Sequence, residues 1–232
     1  MTDVIVSRII DSADPVTLVG AGAAGDGDLH EAISHAPRLV AADGGARHAL
    51  AKGLMPEAVI GDFDSLDNVT RAAIPADRLH RVAEQQTTDF DKALRHIAAP
   101  LVLGVGFLGE RLDHLLAAQT VLLRRPERRC LLLGRGDLVF LCPPRLLLDL
   151  PEGSRVSLYP MAPVTGRSEG LHWPIDGIGF APGGMIGTSN RVAGDKVLIE
   201  MEAPRMLVIL PRAALGAAVR SLVAPGPGWP AP

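Results

Sequence analysis

The sequence predicts an α/β protein built from an N-terminal, mostly parallel, Rossmann-like α/β domain over residues 1–130 and a C-terminal antiparallel β-sandwich over residues 131–222, with a flexible tail over 223–232. Two observations carry this reading. Over roughly the first 125 residues, strand-length apolar runs alternate with helix-length amphipathic runs, the pattern of a parallel sheet crossed by helices. From Arg129 onward the texture changes to short apolar runs broken by Gly and Pro, such as "CLLLG", "LVFLCP", "RLLLDLP" and "KVLIEME", which is the pattern of antiparallel strands in a sandwich or barrel.

Each element has a local reason. "VTLVG" (16–20) reads as a short buried strand, and after the Gly-rich loop a helix begins near Asp28, with Asp28 and Glu31 spaced as a capping box. "RLVAAD" (38–43) is a second strand, "GGARHALAKG" a helix closed by Gly53, and "EAVIGD" (57–62) a third strand. "TTDFDKALRHIA" (87–98) reads as a helix with a Thr cap and early acids that suit its dipole. "PLVLGVGF" (100–107) is a strand and "RLDHLLAAQTVLLRR" (111–125) a helix; near the end, "RAALGAAVRSLV" fits a short helix or a loop.

Composition narrows the class of function. Of the 232 residues, 47% are apolar, enough for a sizeable core. A formal charge of −3 argues against a nucleic-acid partner or an anionic membrane surface. The two cysteines, Cys130 and Cys142, lie in apolar surroundings and read as buried free thiols in a reducing compartment. "MTDVIVSRIIDS" lacks the apolar centre of a signal peptide, and no run approaches the roughly 20 apolar residues of a membrane span, so the expectation is a cytoplasmic location.

Chemistry concentrates in carboxylates. Asp43, Asp62, Asp64 and Asp89 stand at or just beyond predicted strand ends or helix starts, the edge at which open parallel sheets bind ligands. Hard oxygen donors without His or Cys suit Mg²⁺, which leaves coordination positions for phosphates. Taken singly, Asp89 reads equally as a first-turn acid and Asp62/Asp64 as an Asx-type turn; their coincidence at one edge favours the cation. Lys92, one turn after Asp89, suits either an i,i+3 ion pair or a phosphate contact. Arg111, Asp113 and His114 in "GERLDH" form a second cluster at the next strand-to-helix junction. A competing reading is "GAGAAG" (20–25) followed by Asp43 as a dinucleotide fingerprint; it is disfavoured because "GDGD" lengthens the loop and delays the helix.

Four motifs in order, "ADGGA", "P-x-x-V-I-G-D-F-D-S", "Q-x-x-T-D-F-D-K-A-L" and "G-x-R-x-D-H", with "EGLHWPI" (169–175) and "GGMIGTSNRV" (183–192) behind them, resemble the thiamine pyrophosphokinase family. The resemblance implies transfer of the diphosphoryl group of ATP to thiamine, giving thiamine diphosphate and AMP, by a homodimer with active sites at the subunit interface. It implies that Asp43, Asp62, Asp64 and Asp89 gather Mg²⁺ around the triphosphate. Gln85, Thr88, Lys92, Arg111, Asp113 and His114 are then nucleotide or phosphate contacts, and Trp173, Ser189 and Asn190 the thiamine pocket. Glu84 stands where the family often has Asp, preserving the charge. The alternatives are a non-catalytic thiamine or nucleotide binder on the same scaffold and an NAD-dependent oxidoreductase.

Overall fold

The structure is a computed structural model that describes residues 8–25, 27–109 and 111–231. The first seven residues of the N-terminal stretch, Asp26 of the Gly-rich loop and Glu110 of "GERLDH" lie outside the described residues. The chain divides into two compact units between Val121 and Leu122.

The first unit comprises β1 (Ile10–Asp11), β2 (Val16–Val19), α1 (Asp28–His35), β3 (Arg38–Ala42), α2 (Gly45–Ala51), β4 (Ala58–Gly61), α3 (Asn68–Ala73), β5 (Leu79–Arg81), α4 (Asp89–His96), β6 (Ile97–Ala98), β7 (Val102–Val105) and the start of α5 (Leu112–Arg124). Strands β3, β4 and β5 pair in parallel, β2 lies beside β3, and β7 pairs in parallel with β2 on the other side. The strand order therefore reverses at β2: the chain moves outward through β3, β4 and β5, then returns to β7. Strands β2, β3 and β4 are buried along nearly their whole length, as a parallel sheet covered on both faces requires. On one face Val19, Leu39, Ala41 and Val59 pack with Leu29, Ala46, Ala49, Leu66 and Ile74. Each large aliphatic side chain so enclosed stabilises the unit by about 1.5–3 kcal/mol.

The second unit carries the antiparallel architecture that the texture change predicted. Its strands are β8 (Cys130–Leu133), β9 (Asp137–Leu141), β10 (Arg145–Asp149), β11 (Arg155–Pro160), β12 (Gly166–Glu169), β13 (Gly187–Arg191), β14 (Lys196–Met201) and β15 (Met206–Pro211), followed by α6 (Leu215–Val223). Antiparallel pairing runs in the order β13-β11-β15-β9-β8 and, separately, β10-β14-β12. In β10, Leu146 and Leu148 are buried while Arg145, Leu147 and Asp149 are exposed, the two-residue alternation of a strand with one face in the core. Cys130 and Cys142 are free and buried.

Several details differ from the sequence expectations. Asp28 does not cap α1: it lies inside the first turn and its Oδ2 accepts the Gly25 N–H at 2.6 Å, so it ties down the preceding loop. Residues 97–98 leave the helix and pair with Ile10–Asp11 as a short parallel bridge. The terminal segment expected to be flexible is tied to its own unit. Arg129 donates to the carbonyls of Leu222, Ala224 and Gly226, and the Trp229 indole donates to the Cys142 carbonyl at 2.8 Å. The guanidinium collects carbonyls from the last turn of α6 and from the segment that follows it.

Helix α2 begins hard against the end of β2. A Cβ placed on Gly45 would lie 2.1 Å from the Val19 carbonyl oxygen, a backbone atom held by the sheet. Gly45→Ala is therefore expected to destabilise the protein by about 1–3 kcal/mol, read as a lower urea midpoint at unchanged m-value.

Candidate active site

Asp43, Asp62, Asp64 and Asp89 each present a carboxylate oxygen, and these four atoms all lie within 4.8 Å of one another. The fold assembles them from three places. Asp43 follows β3 and extends its ladder, its N–H donating to the Ile60 carbonyl at 3.0 Å. Asp62 follows β4, with Asp64 on the turn beyond it. Asp89 is the first residue of α4, whose start is fixed by the Thr88 side chain accepting the Asp91 N–H at 3.3 Å.

Asp43, and Phe63 between Asp62 and Asp64, have left-handed backbone, with φ +41° and +71°. Such conformations cost non-glycine residues about 1–3 kcal/mol and persist where function or packing demands them. The turn at Phe63 brings Asp64 back toward Asp62, so the pair converges through a turn and not through the alternation of a straight strand. The Asx-type bond weighed against function is also present, the Asp64 N–H donating to Asp62 Oδ1 at 3.2 Å. A side chain at Gly61 would put its Cβ 2.7 Å from the Asp43 Cβ, so glycine there permits the approach.

Burial and charge set the electrostatics. Lys92 is 2% exposed and its ammonium lies on Asp62 and, at 3.1 Å, on Asp89. The sequence offered an ion pair or a phosphate contact for this residue; the structure shows the pair, with a second carboxylate added. Burial alone would lower the Lys92 pKa, but its hydrogen bonds to Asp62 and Asp89 outweigh that and raise it. The same hydrogen bond holds the Asp62 carboxyl below its ordinary value against burial. Asp89 is pushed up by burial despite Lys92. Asp43, 1% exposed, is raised to about 6 by burial, with the charges of Asp89, Asp64 and Asp62 adding to it and the Ser65 N–H partly offsetting it.

Among the described residues Asp43 Oδ1 is buried without a hydrogen-bond partner, although Oδ2 accepts the Ser65 N–H at 3.3 Å. Buried carboxylate oxygens are rarely left so. An all-oxygen set of four carboxylates with one orphaned atom fits a hard divalent cation.

Beside the carboxylates, at the carboxyl ends of β2 and β7 where the strand order reverses, a cavity of about 450 Å³ opens. Thr88, Asp89, Arg111 and His114 line it together with the Gly20–Ala23 rim. Gly22 lies so close to the opposite rim that a Cβ on it would be 2.4 Å from the Gly106 carbonyl oxygen. Of the other predicted contacts, Gln85 donates to Asp62 Oδ2 at 3.2 Å, and exposed Asp113 is held by Arg111 at 2.6 Å and does not line the cavity. Glu84 accepts from Thr87, from the Gln86 N–H at 2.8 Å and from Arg95 at 3.1 Å, bracing the loop that carries Gln85 and Thr88. Sequence reasoning missed Ser65, although it stands within "GDFDS". It also missed Phe107, which lines the cavity and stacks on Phe90 with centroids 4.4 Å apart. The scarcity of aromatics made a Phe at a strand end the available signal.

In the second unit, Trp173, Ser189 and Asn190 form one group. The β11–β13 pairing slips between Val156 and Leu158, and Ser189, at φ +61°, donates its N–H to the Ser157 hydroxyl at 3.0 Å. That irregularity turns Asn190 inward, where its Oδ1 accepts the Trp173 N–H (3.2 Å) and its Nδ2 donates to the Trp173 carbonyl (2.7 Å). Asn190 is thus a buried clamp on the Trp173 backbone, and the indole is 54% exposed.

A raised acid pKa has a signed consequence. The folded protein holds the Asp43 proton more tightly than the unfolded chain does, so its stability falls as pH rises from the ordinary carboxylate range through about 6. Asp43→Asn is expected to remove that slope and to raise the melting temperature of the metal-free protein at pH 7.5 by about 2–4 °C. It should also abolish the stabilisation that added Mg²⁺ gives the parent. Melting scans with EDTA and with Mg²⁺ measure both.

Residues 29–132 match the family model described as thiamin pyrophosphokinase, catalytic domain, and residues 145–206 the model described as thiamin pyrophosphokinase, vitamin B1 binding domain. Thiamine pyrophosphokinase 1 of Arabidopsis thaliana is 26% identical over 212 residues, covering 75% of this chain and 78% of its own. Thiamine pyrophosphokinase 2 of Oryza sativa subsp. japonica is 27% identical over 213 residues, covering 76% and 79%. The fold is that of the thiamin pyrophosphokinase from Candida albicans, with TM-score 0.73 at 16% identity over 88% of this chain and 96% of that one. It is likewise that of the Bacillus subtilis enzyme, with TM-score 0.69 at 20% identity over 85% and 98%. With both family models matched in order along the chain, this protein belongs to the thiamine pyrophosphokinase family.

Proposed function

We propose that this chain transfers the diphosphoryl group of ATP to thiamine, giving thiamine diphosphate and AMP. The observation that carries the reading is the convergence of Asp43, Asp62, Asp64 and Asp89 beside a cavity at the switch point of a parallel sheet. Diphosphoryl transfer depends on in-line placement and charge neutralisation more than on covalent help from the protein. A Mg²⁺ ion held by these four carboxylates would supply that neutralisation and orient the polyphosphate. Lys92 holds Asp62 and Asp89 in place, Gln85 and Thr88 steady the loop and helix start beside them, and Arg111 and His114 offer cationic and hydrogen-bonding groups to the nucleotide. Asp113 acts through its pairing with Arg111.

The thiamine side of the reading rests on the exposed indole of Trp173. A flat organic cation is attracted to an indole face by about 0.5–2 kcal/mol. Ser189 and Asn190 shape and brace that platform. Within this reading the enzyme is a homodimer, one protomer bringing its Trp173 to the acidic site of its partner, and it works in the cytoplasm. Among the described residues no helix is long and apolar enough to cross a membrane.

A purely binding protein on this scaffold has little need for four mutually repelling carboxylates gathered within 4.8 Å of one another. The dinucleotide reading needs the Asp43 carboxylate on a ribose, whereas it faces the other three acids.

Protein incubated with MgATP and thiamine should release AMP, and only when thiamine is present; release of ADP would refute the reading. Asp64 is exposed and, unlike Asp62, is not paired with the buried Lys92. Asp64→Asn should therefore leave the melting temperature within a degree or two of the parent while lowering kcat by about 10²–10³-fold. Near-parental turnover would remove Asp64 from the metal site.

A further inference from the structure

The indole face of Trp173 carries a cation supplied by the chain itself. The Arg191 guanidinium carbon stands 5.3 Å from the Trp173 ring centroid, within the range of a cation–π contact. Arg191 Nη2 lies 3.3 Å from His172 Nε2, and since arginine only donates, the imidazole nitrogen is the acceptor. His172 in turn meets the Trp173 ring edge-on, with centroids 4.4 Å apart.

The backbone fixes this arrangement from both sides. Arg191 donates its N–H to Asn190 Oδ1 at 2.8 Å, the same oxygen that accepts the Trp173 N–H, and its carbonyl accepts the His172 N–H at 2.8 Å. Leu171 and Val192 form an isolated bridge one residue further out. The backbones of Arg191 and Trp173 are therefore held side by side, and their side-chain torsions decide whether the guanidinium covers the indole. The guanidinium satisfies the ring with the planar positive charge that a cationic aromatic substrate would bring.

We infer that Arg191 is an internal competitor for the Trp173 platform, and so a residue that sets the affinity for the cationic substrate: the substrate reaches the indole only by displacing the guanidinium. The inference rests on the reading of Trp173 as the thiamine platform. Displacement costs one exposed cation–π contact and one hydrogen bond to the His172 imidazole, a cost subtracted from the affinity of every ligand and best offset by one that brings its own positive charge to the ring. Neutral analogues of thiamine of the same shape would displace it poorly. Arg191 is a positioning residue, because it acts through the indole.

The test is a double-mutant cycle on steady-state thiamine kinetics at saturating MgATP, using Arg191→Gln, Trp173→Leu and the double variant, with melting temperatures to confirm that each is folded. Arg191→Gln should lower KM for thiamine about two- to five-fold, the equilibrium equivalent of an exposed cation–π contact, with the effect in KM and not in kcat. Trp173→Leu should raise KM, and in that background Arg191→Gln should have no further effect. If Trp173→Leu raises KM but Arg191→Gln leaves it unchanged or higher, the platform stands and the competitor is overturned. If Arg191→Gln lowers KM equally in both backgrounds, the effect is charge repulsion at a distance, and the competitor is again overturned. If Trp173→Leu leaves KM unchanged, the platform reading itself fails and takes the competitor with it.

Discussion

The site depends on one buried ammonium. Two carboxylates about 4 Å apart repel by about 4 kcal/mol at an effective dielectric of 20, and four of them share this corner of the sheet. Lys92 reaches two, Asp62 and Asp89, from within the folded unit, and its own charge survives burial because they hydrogen-bond to it. That leaves the cluster negative when fully ionised, and Asp43, buried and lacking a partner for one oxygen, has its pKa raised chiefly by that burial, with the neighbouring charges adding to it. One positive charge, that of Lys92, is built in among the four carboxylates, an arrangement that fits a further cation.

The rest of that unit serves this corner. Reversal of the strand order at β2 opens the sheet's carboxyl edge, and α4 starts there because Thr88 caps it. Glycine at 61 lets two strand ends approach, while the left-handed turn at Phe63 curls Asp64 back. Among the described residues, the three non-glycine ones with positive φ, Asp43, Phe63 and Ser189, all lie in or beside the two candidate ligand sites. Strain is concentrated where side chains must be aimed.

Much of this was legible in the sequence, for identifiable reasons. Strand–helix alternation is a property of local periodicity, so the parallel layer and the antiparallel half could be read directly. The four acids could be read because parallel strands all end at one edge of the sheet, and Asp43 and Asp62 follow two such ends while Asp64 and Asp89 lie on the turn and helix start beside them. What could not be read depends on contacts distant in sequence. Lys92 looked like a partner for Asp89 because i,i+3 spacing is visible, while Asp62, thirty positions away, gave no signal. Asn190 looked like a ligand-facing amide, yet a slip in pairing register turned it onto the Trp173 backbone. The terminal Pro/Gly segment looked loose because no composition rule reports that Arg129 gathers its carbonyls.

The contact between the loop after β2 and the loop after β7 has an evolutionary consequence. Where Gly22 meets the carbonyl of Gly106, main chain touches main chain, and no room exists for a side chain at position 22. A lineage drifting toward a different ligand in this cavity could not remodel it by mutating that rim residue. Its adaptive substitutions would have to accumulate on the opposite wall, around Arg111 and His114 at the head of α5, where exposed side chains can be exchanged without disturbing the sheet.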